Sequence, residues 1–360
     1  MKESRLPAAR AIADVVQRHT SLSAEEVEAV VNAVFWTSLR REETFIPKIS
    51  LALAPMRETA LRFEYPLPLT PEALARVSPA VERPGIHLGV WREDGELRVW
   101  GATRKLPAHC LVLEVVAPGL VVVKRSREEE SGKFTNVVVL EGDRIKVLRR
   151  DSHGIPDCPS LVNALLAFDM RPDGKDPLNA LVQLATSMRA HKRGGSLLIV
   201  PGGSTTWRES IVAPIPYAIE PSYSALSNLM KVEEGEGRDR RWHDFFNRAV
   251  ETMAGLTAVD GATIITDDFR LLAFGAKIRR RDGSPPVDRV IMTEPVEGGQ
   301  PVIVDPAQLG GTRHLSAAQF ASDQPDGSAL VASQDGRFTV FSWSACEEMV
   351  HAHRVEVLLL

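Results

Sequence analysis

The clearest candidate for chemistry in this sequence is an acidic residue followed by a glycine, directly before a run of β-branched residues. Asp260 and Gly261 precede residues 263–266, whose composition is that of a buried strand. The Asp260 carboxylate is therefore expected at the mouth of that strand, where it could hold a metal ion. Two further aspartates then favour a turn, and residues 271–278 are predicted to return as the second strand of a hairpin.

A second group of candidate residues lies further along the chain and suits phosphate. Gly310 and Gly311 precede Thr312, Arg313 and His314, which are followed by the helix-like sequence SAAQF. Glycines allow a backbone to approach a ligand closely, and the start of a helix together with basic side chains favours phosphate oxygens. The first group thus offers a metal ligand, and the second group offers an anion-binding site.

These two groups resemble the motifs of the diadenylate cyclase family. The family's catalytic domain carries DGA on a strand and GTRH before a helix, and here the same letters occupy residues 260–262 and 311–314. Residues 326–341, DGSALVASQDGRFTVF, are laid out like the family's strand, S-E-E-x-G turn and next strand. An amphipathic helix running into GGSLLIVP is similar to the helix and first strand of that domain. The resemblance covers residues 176–343.

The resemblance implies a nucleotidyltransferase that condenses two ATP molecules into cyclic di-AMP with release of pyrophosphate. It implies Mg or Mn as the divalent cation and a homo-oligomer with face-to-face active sites. Catalysis is expected from Asp260, Arg313 and His314, and metal binding from Asp260 and Asp335. The residues expected to bind the nucleotide are Gly261, Ala262, Gly311, Thr312, Ser333 and Gln334.

Two positions depart from the family pattern and keep other functions open. Leu315 stands where the family has a third basic residue, and Gln334 stands where it has a glutamate. A glutamine keeps an amide oxygen but loses the charge that helps to hold a divalent cation. One alternative is therefore a catalytically degenerate nucleotide-binding sensor or signalling module. Others are a scaffold whose N-terminal domain binds a protein, and an unrelated α/β protein in which the motifs are a turn and a loop.

Composition is that of a globular protein without strong demands on its partners. The chain has 360 residues, and its 43 basic residues nearly balance 47 acidic ones, so neither nucleic acid nor an anionic membrane is predicted as a partner. Three widely spaced cysteines suggest neither a disulfide framework nor a zinc site. The N-terminus lacks an apolar signal-peptide core, and no segment reaches 18 uninterrupted apolar residues. These features predict a cytoplasmic protein.

The elements that must position the motifs suggest an α/β domain preceded by a smaller β-rich one. Residues 1–44 are predicted as a helical lead-in, in which Ser23 and Glu26 have the spacing of a capping box. Residues 45–150 contain three hairpin-like pairs and form the β-rich sensor or docking domain. Residues 151–159 are interpreted as a linker. Residues 160–360 are predicted to form a nucleotide-binding domain with a mixed β-sheet flanked by helices.

Three further predictions concern the C-terminal half. Residues 219–230 are predicted as a helix, and residues 279–308, rich in proline, glycine and charge, as a loop that closes over a ligand. His351 and His353 share one face of a strand and could bind metal, but no third ligand is evident. A core or surface role is favoured for both histidines.

Overall fold

The computed structural model describes residues 7–41, 45–126, 134–148, 180–232 and 240–360. The chain divides into two compact units, one of residues 1–149 with Leu360 and one of residues 150–359. The predicted linker, 151–159, lies outside the described residues. No described helix is long and apolar enough to cross a membrane.

The first unit is β-rich and contains a sheet of eight described strands. Its helices are α1 (Pro7–Val16), α2 (Ala24–Ser38) and α3 (Pro71–Val81). Its strands are β1 (Ser50–Leu53), β2 (Leu61–Pro68), β3 (His87–Glu93), β4 (Glu96–Thr103), β5 (Leu111–Ala117), β6 (Leu120–Ser126), β7 (Phe134–Glu141) and β8 (Arg144–Val147). The strand order is β2-β4-β3-β1-β5-β6-β7-β8, and β1 and β3 are parallel while the other pairs are antiparallel.

Local sequence signals explain how these elements begin and turn. The predicted capping box is present, because Ser23 Oγ accepts from the Glu26 backbone N–H at 3.2 Å and the Glu26 carboxylate accepts from the Ser23 N–H at 2.6 Å. The three predicted hairpins are the pairs β3/β4, β5/β6 and β7/β8. In the first, Asp94 and Gly95 both have positive φ, as a two-residue hairpin turn requires. Helices α1 and α2 contribute to the apolar core of this unit together with the sheet.

The second unit contains a mixed sheet of nine described strands. Its helices are α4 (Ala180–Ala190), α5 (Ala225–Met230), α6 (Arg240–Leu256), α7 (Pro306–Leu309) and α8 (Thr312–Asp323). Its strands are β9 (Gly195–Val200), β10 (Tyr217–Tyr223), β11 (Ala262–Thr266), β12 (Leu271–Ala276), β13 (Val290–Thr293), β14 (Val302–Val304), β15 (Ser328–Ala332), β16 (Phe338–Ser344) and β17 (Met349–Arg354). The strand order is β10-β12-β11-β9-β15-β16-β17-β13-β14.

The central strands of this sheet are apolar on both faces because helices cover both sides. Leu197 and Ile265 face the core that contains α4 and α6, whereas Leu198 and Ile264 face the core that contains α8. Successive strand residues point to opposite faces, so a strand between two helical layers needs a continuous apolar run. The runs in β9 and β11 therefore place them at the centre, and the predicted mixed sheet flanked by helices is confirmed.

The helix predicted over residues 219–230 is wrong for its first half. Tyr217–Tyr223 forms β10, which pairs with β12 at one edge of the sheet, and only Ala225–Met230 is helical. Pro221 lies inside β10. A proline is compatible with an edge strand, because its missing N–H need not complete a ladder, and it disfavours a helix interior.

The loop predicted over residues 279–308 also contains regular structure. Two short β-branched runs, VIMT in β13 and VIV in β14, pair antiparallel at the other edge of the sheet, and α7 follows them. The proline- and glycine-rich composition of the segment therefore marks the connections between these elements rather than one continuous loop.

Candidate functional site

The first candidate motif lies where the sequence predicts, at the mouth of a buried strand. Asp260 is exposed and directly precedes Gly261 and β11, all of whose residues are buried. Gly261 has a φ of 104°, and a Cβ there would lie 2.5 Å from the carbonyl carbon of Gly275 on β12. The glycine therefore allows the two strands of the hairpin to approach each other closely.

The second candidate motif forms the start of α8. Gly311 is the N-cap residue, and it provides no side-chain cap for the first N–H groups of the helix. The His314 N–H donates to the Gly311 carbonyl at 3.0 Å, so the N–H groups left for a ligand are those of Thr312 and Arg313. The helix dipole favours a negative charge beside them. A Cβ at Gly310 would lie 2.3 Å from Nδ1 of His314, so this glycine makes room for the His314 ring.

The two motifs meet at a small pocket that we call the Asp260 pocket. It has a volume of about 190 Å³. It is lined by Ser196, Asp260, Gly261, Ala262, Ala276, Lys277, Ile278, Thr312, Arg313 and Ser316. The pocket thus combines one carboxylate, two cationic side chains and three hydroxyl groups with the start of α8.

A larger pocket, which we call the Gln334 pocket, lies on the other side of the same helix start. Its volume is about 370 Å³. It is lined by Leu309, Gly310, Gly311, Thr312, Arg313, His314, Val331, Ala332, Ser333, Gln334, Asp335 and Arg337. Thr312 and Arg313 line both pockets. All ten residues predicted to form a site therefore lie in these two adjoining pockets, hereafter the double pocket.

Arg313 is the central side chain of the double pocket. Its Nη1 would lie 3.0 Å from a Cβ on Gly194, so the guanidinium packs over the glycine that precedes β9. Gly194 has a φ of 71°, a left-handed conformation that glycine adopts without strain. Arg313 has no ion-pair or side-chain hydrogen-bond partner among the described residues, and neither has Lys277. Two cationic side chains are thus left to meet an anion.

The turn between β15 and β16 forms the far wall of the Gln334 pocket. The Ser333 N–H donates to the Arg337 carbonyl at 2.9 Å, and the Gly336 N–H donates to the Ser333 carbonyl at 3.2 Å. The Asp335 carboxylate lies 3.3 Å from the Arg337 guanidinium. Gln334 Nε2 donates to the Arg193 carbonyl at 3.4 Å. The side chains of Gln334 and Asp335 therefore both have partners within the protein.

His314 lies in the core rather than beside Arg313 as a second cation. Its side chain is 2% exposed, and its ring contacts the edge of Phe341 with the centroids 6.0 Å apart. Burial lowers the pKa of His314, and Arg337 and Arg313 lower it further, while Asp335 opposes the shift. The imidazole is therefore neutral at pH 7, and its Nε2 has no hydrogen-bond partner among the described residues.

The two carboxylates expected to bind metal line different pockets. Asp260 belongs to the Asp260 pocket and Asp335 to the Gln334 pocket, where it forms an exposed ion pair with Arg337. Within the described ranges, no three His, Cys, Asp or Glu side chains are grouped to hold a metal ion. A cation at Asp260 would take its remaining ligands from hydroxyls, water or a bound phosphate, which Mg²⁺ accepts. Magnesium or manganese binding remains a prediction.

Several lining residues are not evident from the motifs. Lys277 follows β12, and the hairpin register pairs Ala276 with Ala262, which brings Lys277 beside Gly261. A signal for Lys277 was present in the sequence, since the returning strand of the hairpin ends there. Ser196 enters through the parallel pairing of β9 with β11, opposite Ala262. That pairing joins distant segments and has no local signal.

Polar residues at the other end of β11 serve the fold. The Gly202 N–H donates to Asp267 Oδ1 at 2.9 Å, and Asp268 accepts from Thr266 and Arg270. These contacts confirm turn chemistry for the aspartate pair and place it away from the double pocket.

The histidine pair on β17 is buried as expected of core residues. His353 Nδ1 lies 2.7 Å from Thr293 Oγ1, and burial lowers the pKa of His353 to about 3. His351 is 2% exposed, and the two rings are 5.5 Å apart.

Comparison with known protein families gives one match, in the first unit. Residues 17–104 match the model of the probable sensor domain DACNV. Among curated proteins, none is significantly similar to the chain. The matched segment spans α2, β1, β2, α3, β3 and β4 and covers about a quarter of the chain.

The assignment of the C-terminal half to the diadenylate cyclases is wrong. No diadenylate cyclase model matches the chain, and the match that is found lies in the other half. The motifs misled because they are short and rich in glycine and aspartate, which recur wherever a tight hairpin or a helix start is built. The family similarity that is found lies at residues 17–104, which are similar to the probable sensor domain DACNV.

Proposed function

We propose that the chain is a signalling module whose second unit binds the phosphate groups of a nucleotide in the double pocket. The observation that carries the proposal is that Arg313, without an ion-pair partner among the described residues, lines both pockets at the uncapped start of α8. The match to a probable sensor domain supports a sensory role for the first unit.

The chemistry of the double pocket favours phosphate over other ligands. A guanidinium donates two parallel hydrogen bonds to a phosphate, and Lys277 adds a second positive charge from the opposite wall. The N–H groups of Thr312 and Arg313 and the hydroxyls of Thr312 and Ser316 supply further donors. The volume of the Gln334 pocket, taken by itself, is already within the usual range for ligand sites, roughly 300–1,000 Å³.

The same geometry does not favour condensation of ATP, and we do not propose it. That reaction was expected from the cyclase resemblance, and so was a face-to-face homo-oligomer. Asp335 lines a different pocket from Asp260 and pairs with Arg337, and Gln334 contributes no charge. Asp260 then remains the one carboxylate of a pocket with two cationic side chains. It can repel a second anionic group, or it can bind one cation that enters with the ligand.

Titration calorimetry of the full chain with a non-hydrolysable ATP analogue tests the proposal. We expect binding that Arg313→Gln weakens by about 10- to 150-fold, the effect of losing a charge-assisted hydrogen bond worth about 1.5–3 kcal/mol. Arg289→Gln is the matched control, because Arg289 is exposed and outside both pockets. Equal weakening by both variants, or no binding to the unmodified chain, contradicts the proposal.

The role of Asp260 is resolved by repeating the titration with and without Mg²⁺. If Asp260 holds a cation with the nucleotide, Asp260→Asn abolishes the dependence of affinity on Mg²⁺. If it acts alone, the same variant tightens binding in the absence of Mg²⁺, because a like charge near the phosphate is removed. Mass spectrometry of the same mixtures with ATP checks the absence of turnover. A cyclic dinucleotide product would contradict a purely binding function.

A further inference from the structure

The first unit contains a pocket that is larger than either part of the double pocket. Its volume is about 520 Å³, within the range of about 300–1,000 Å³ that is typical of small-molecule sites. It lies where β1 and β3 begin, beside β5 and the start of β7. We call it the His87 pocket after a buried histidine in its lining, which is 5% exposed.

A row of polar side chains crosses the sheet at this pocket. Ser50 Oγ lies 2.8 Å from His87 Nδ1, and the strand register places Ser50 opposite Glu114. Glu114 in turn pairs with Lys124 at 2.8 Å. Further along β1 the same face carries alanines, in a cluster with Leu106 and Val112. Polar side chains beside an apolar cluster lose hydration, and this cost in free energy favours keeping their hydrogen bonds to one another formed. The polar row therefore presents a defined wall to the pocket.

The opposite rim of the pocket is cationic. Lys48, Arg83 and Arg104 line it, and none has an ion-pair partner in the part of the chain that the structure describes. Glu82 is the one lining carboxylate there without an ion pair, since Glu114 is held by Lys124. The described lining therefore leaves an excess of positive charge for a ligand to neutralise.

Backbone geometry brings the Arg104 side chain to the rim. Residues 83–86, Arg-Pro-Gly-Ile, form a turn in which the Ile86 N–H donates to the Arg83 carbonyl at 3.3 Å. Proline at the second position and Gly85 with a φ of 76° are typical of a type II turn. A Cβ on Gly85 would lie 3.8 Å from Arg104 Nη1, so that guanidinium lies against the turn that also carries Arg83.

An apolar wall completes the pocket. Phe134 meets the His87 ring edge-on with the centroids 5.6 Å apart and packs against the cluster that contains Leu106. Burial lowers the pKa of His87, which Lys124 and Arg104 lower further against the opposing effect of Glu114. The imidazole is thus neutral near pH 7 and offers a hydrogen-bonding, uncharged surface next to an aromatic ring.

We propose that the His87 pocket binds a small organic anion, whose carboxylate or phosphate group meets Arg83 and Arg104 and whose apolar body packs against Phe134. Excess positive charge selects the anionic group, and the aromatic wall selects a ligand that is more than an inorganic ion. This site belongs to a different unit from the double pocket and does not depend on nucleotide binding there.

Four probes with the same ring and different head groups test the charge selectivity. Phenyl phosphate, benzoate, benzamide and benzylamine are titrated against the full chain by saturation-transfer NMR up to about 10 mM, which reaches millimolar affinities. We expect benzoate and phenyl phosphate to bind, benzamide to bind more weakly and benzylamine not to bind. Running the series also in Arg313→Gln removes any contribution of the double pocket, so the two proposals fail separately.

Variants locate the binding. Arg104→Gln is expected to weaken benzoate and phenyl phosphate about tenfold or more and to leave benzamide unchanged. Arg98→Gln is the matched control on β4, since Arg98 pairs with Glu96 and does not line the pocket. Phe134→Leu is expected to weaken both anions and benzamide alike. If Arg104→Gln does not fold, Arg83→Gln on the exposed turn replaces it.

Three results would overturn the proposal. They are equal binding of benzamide and benzoate to the unmodified chain, no binding of either anion, and equal effects of the Arg104 and Arg98 substitutions. The first of these requires no variant, so the proposal is decided even if every substitution destabilises the unit.

Discussion

Gly310 and Gly311 are adjacent glycines with opposite steric surroundings, and this contrast makes a sharp prediction. Gly310 has a φ of 171°, extended backbone that any residue adopts, so alanine there carries no conformational strain. Its Cβ, however, would lie 2.3 Å from Nδ1 and 2.4 Å from Cε1 of His314. A Cβ on Gly311, whose φ is −78°, meets nothing within 4 Å.

The magnitude follows from how little the His314 ring can move. The ring is 2% exposed and held against Phe341, so an extra methyl group must displace packed atoms. Such overpacking typically costs about 1–3 kcal/mol. For a unit of this size each kcal/mol lowers the melting temperature by about 2–4 °C. Gly310→Ala is therefore expected to lower it by about 2–12 °C, and Gly311→Ala by clearly less, its cost being the weaker N-cap.

Scanning calorimetry of the four members of a double-mutant cycle tests this reasoning. His314→Ala removes the ring that Gly310→Ala meets, so the losses of the two single variants should not add. We expect the double variant to be more stable, by at least about 1 kcal/mol, than the sum of the two single losses predicts. Additive losses would refute the collision as the cause. Equal melting temperatures for Gly310→Ala and Gly311→Ala would refute the steric distinction between the two glycines.

Two predictions concern titratable groups of the first unit. The Arg92 guanidinium holds the pKa of Glu26 at about 2, below its usual 4.5, so the Glu26–Arg92 pair contributes stability above pH 4.5 that is lost as pH falls towards 2. Denaturation of Arg92→Gln should lack this part of the acid dependence, and identical pH profiles for both proteins would contradict it. Burial raises the pKa of the Cys110 thiol to about 12, whereas Cys346 is exposed. Iodoacetamide at pH 8, followed by peptide mass spectrometry, should modify Cys346 well before Cys110, and comparable rates would count against the buried thiol.

Local patterns predict those parts of the fold that neighbouring residues determine. The capping box of α2 and the three hairpins of the first unit depend on residues within one turn, and all four predictions are confirmed. The hairpin β11/β12 follows in the same way from a β-branched run and an aspartate turn. By contrast, β10 depends on pairing with β12 at a sheet edge, and that tertiary contact outweighs the helical pattern of residues 219–230.

The candidate site shows the same division between local and distant information. Sequence order could not show that the start of α8 lies across from the mouth of β11, because the sheet brings these segments together. Nor could it show that His314 faces inward. Residues at the start of a helix have no fixed exposure, and the position of His314 is set by the packing of α8 on β16.

Glycines carried much of the motif resemblance, and the structure explains two of them without a ligand. Gly261 is required by the close approach of β12, and Gly310 by the ring of His314. A residue that the fold already requires says little about what the site binds. Arg313 and Lys277 are different, because no ion pair within the described residues accounts for either cation and both face the same pocket. Two cationic side chains in one pocket, of which Arg313 lies at the start of α8, outnumber the single Asp260 carboxylate there and favour an anionic ligand. It is therefore these two side chains, rather than the glycine motifs, from which the function of the second unit should be inferred.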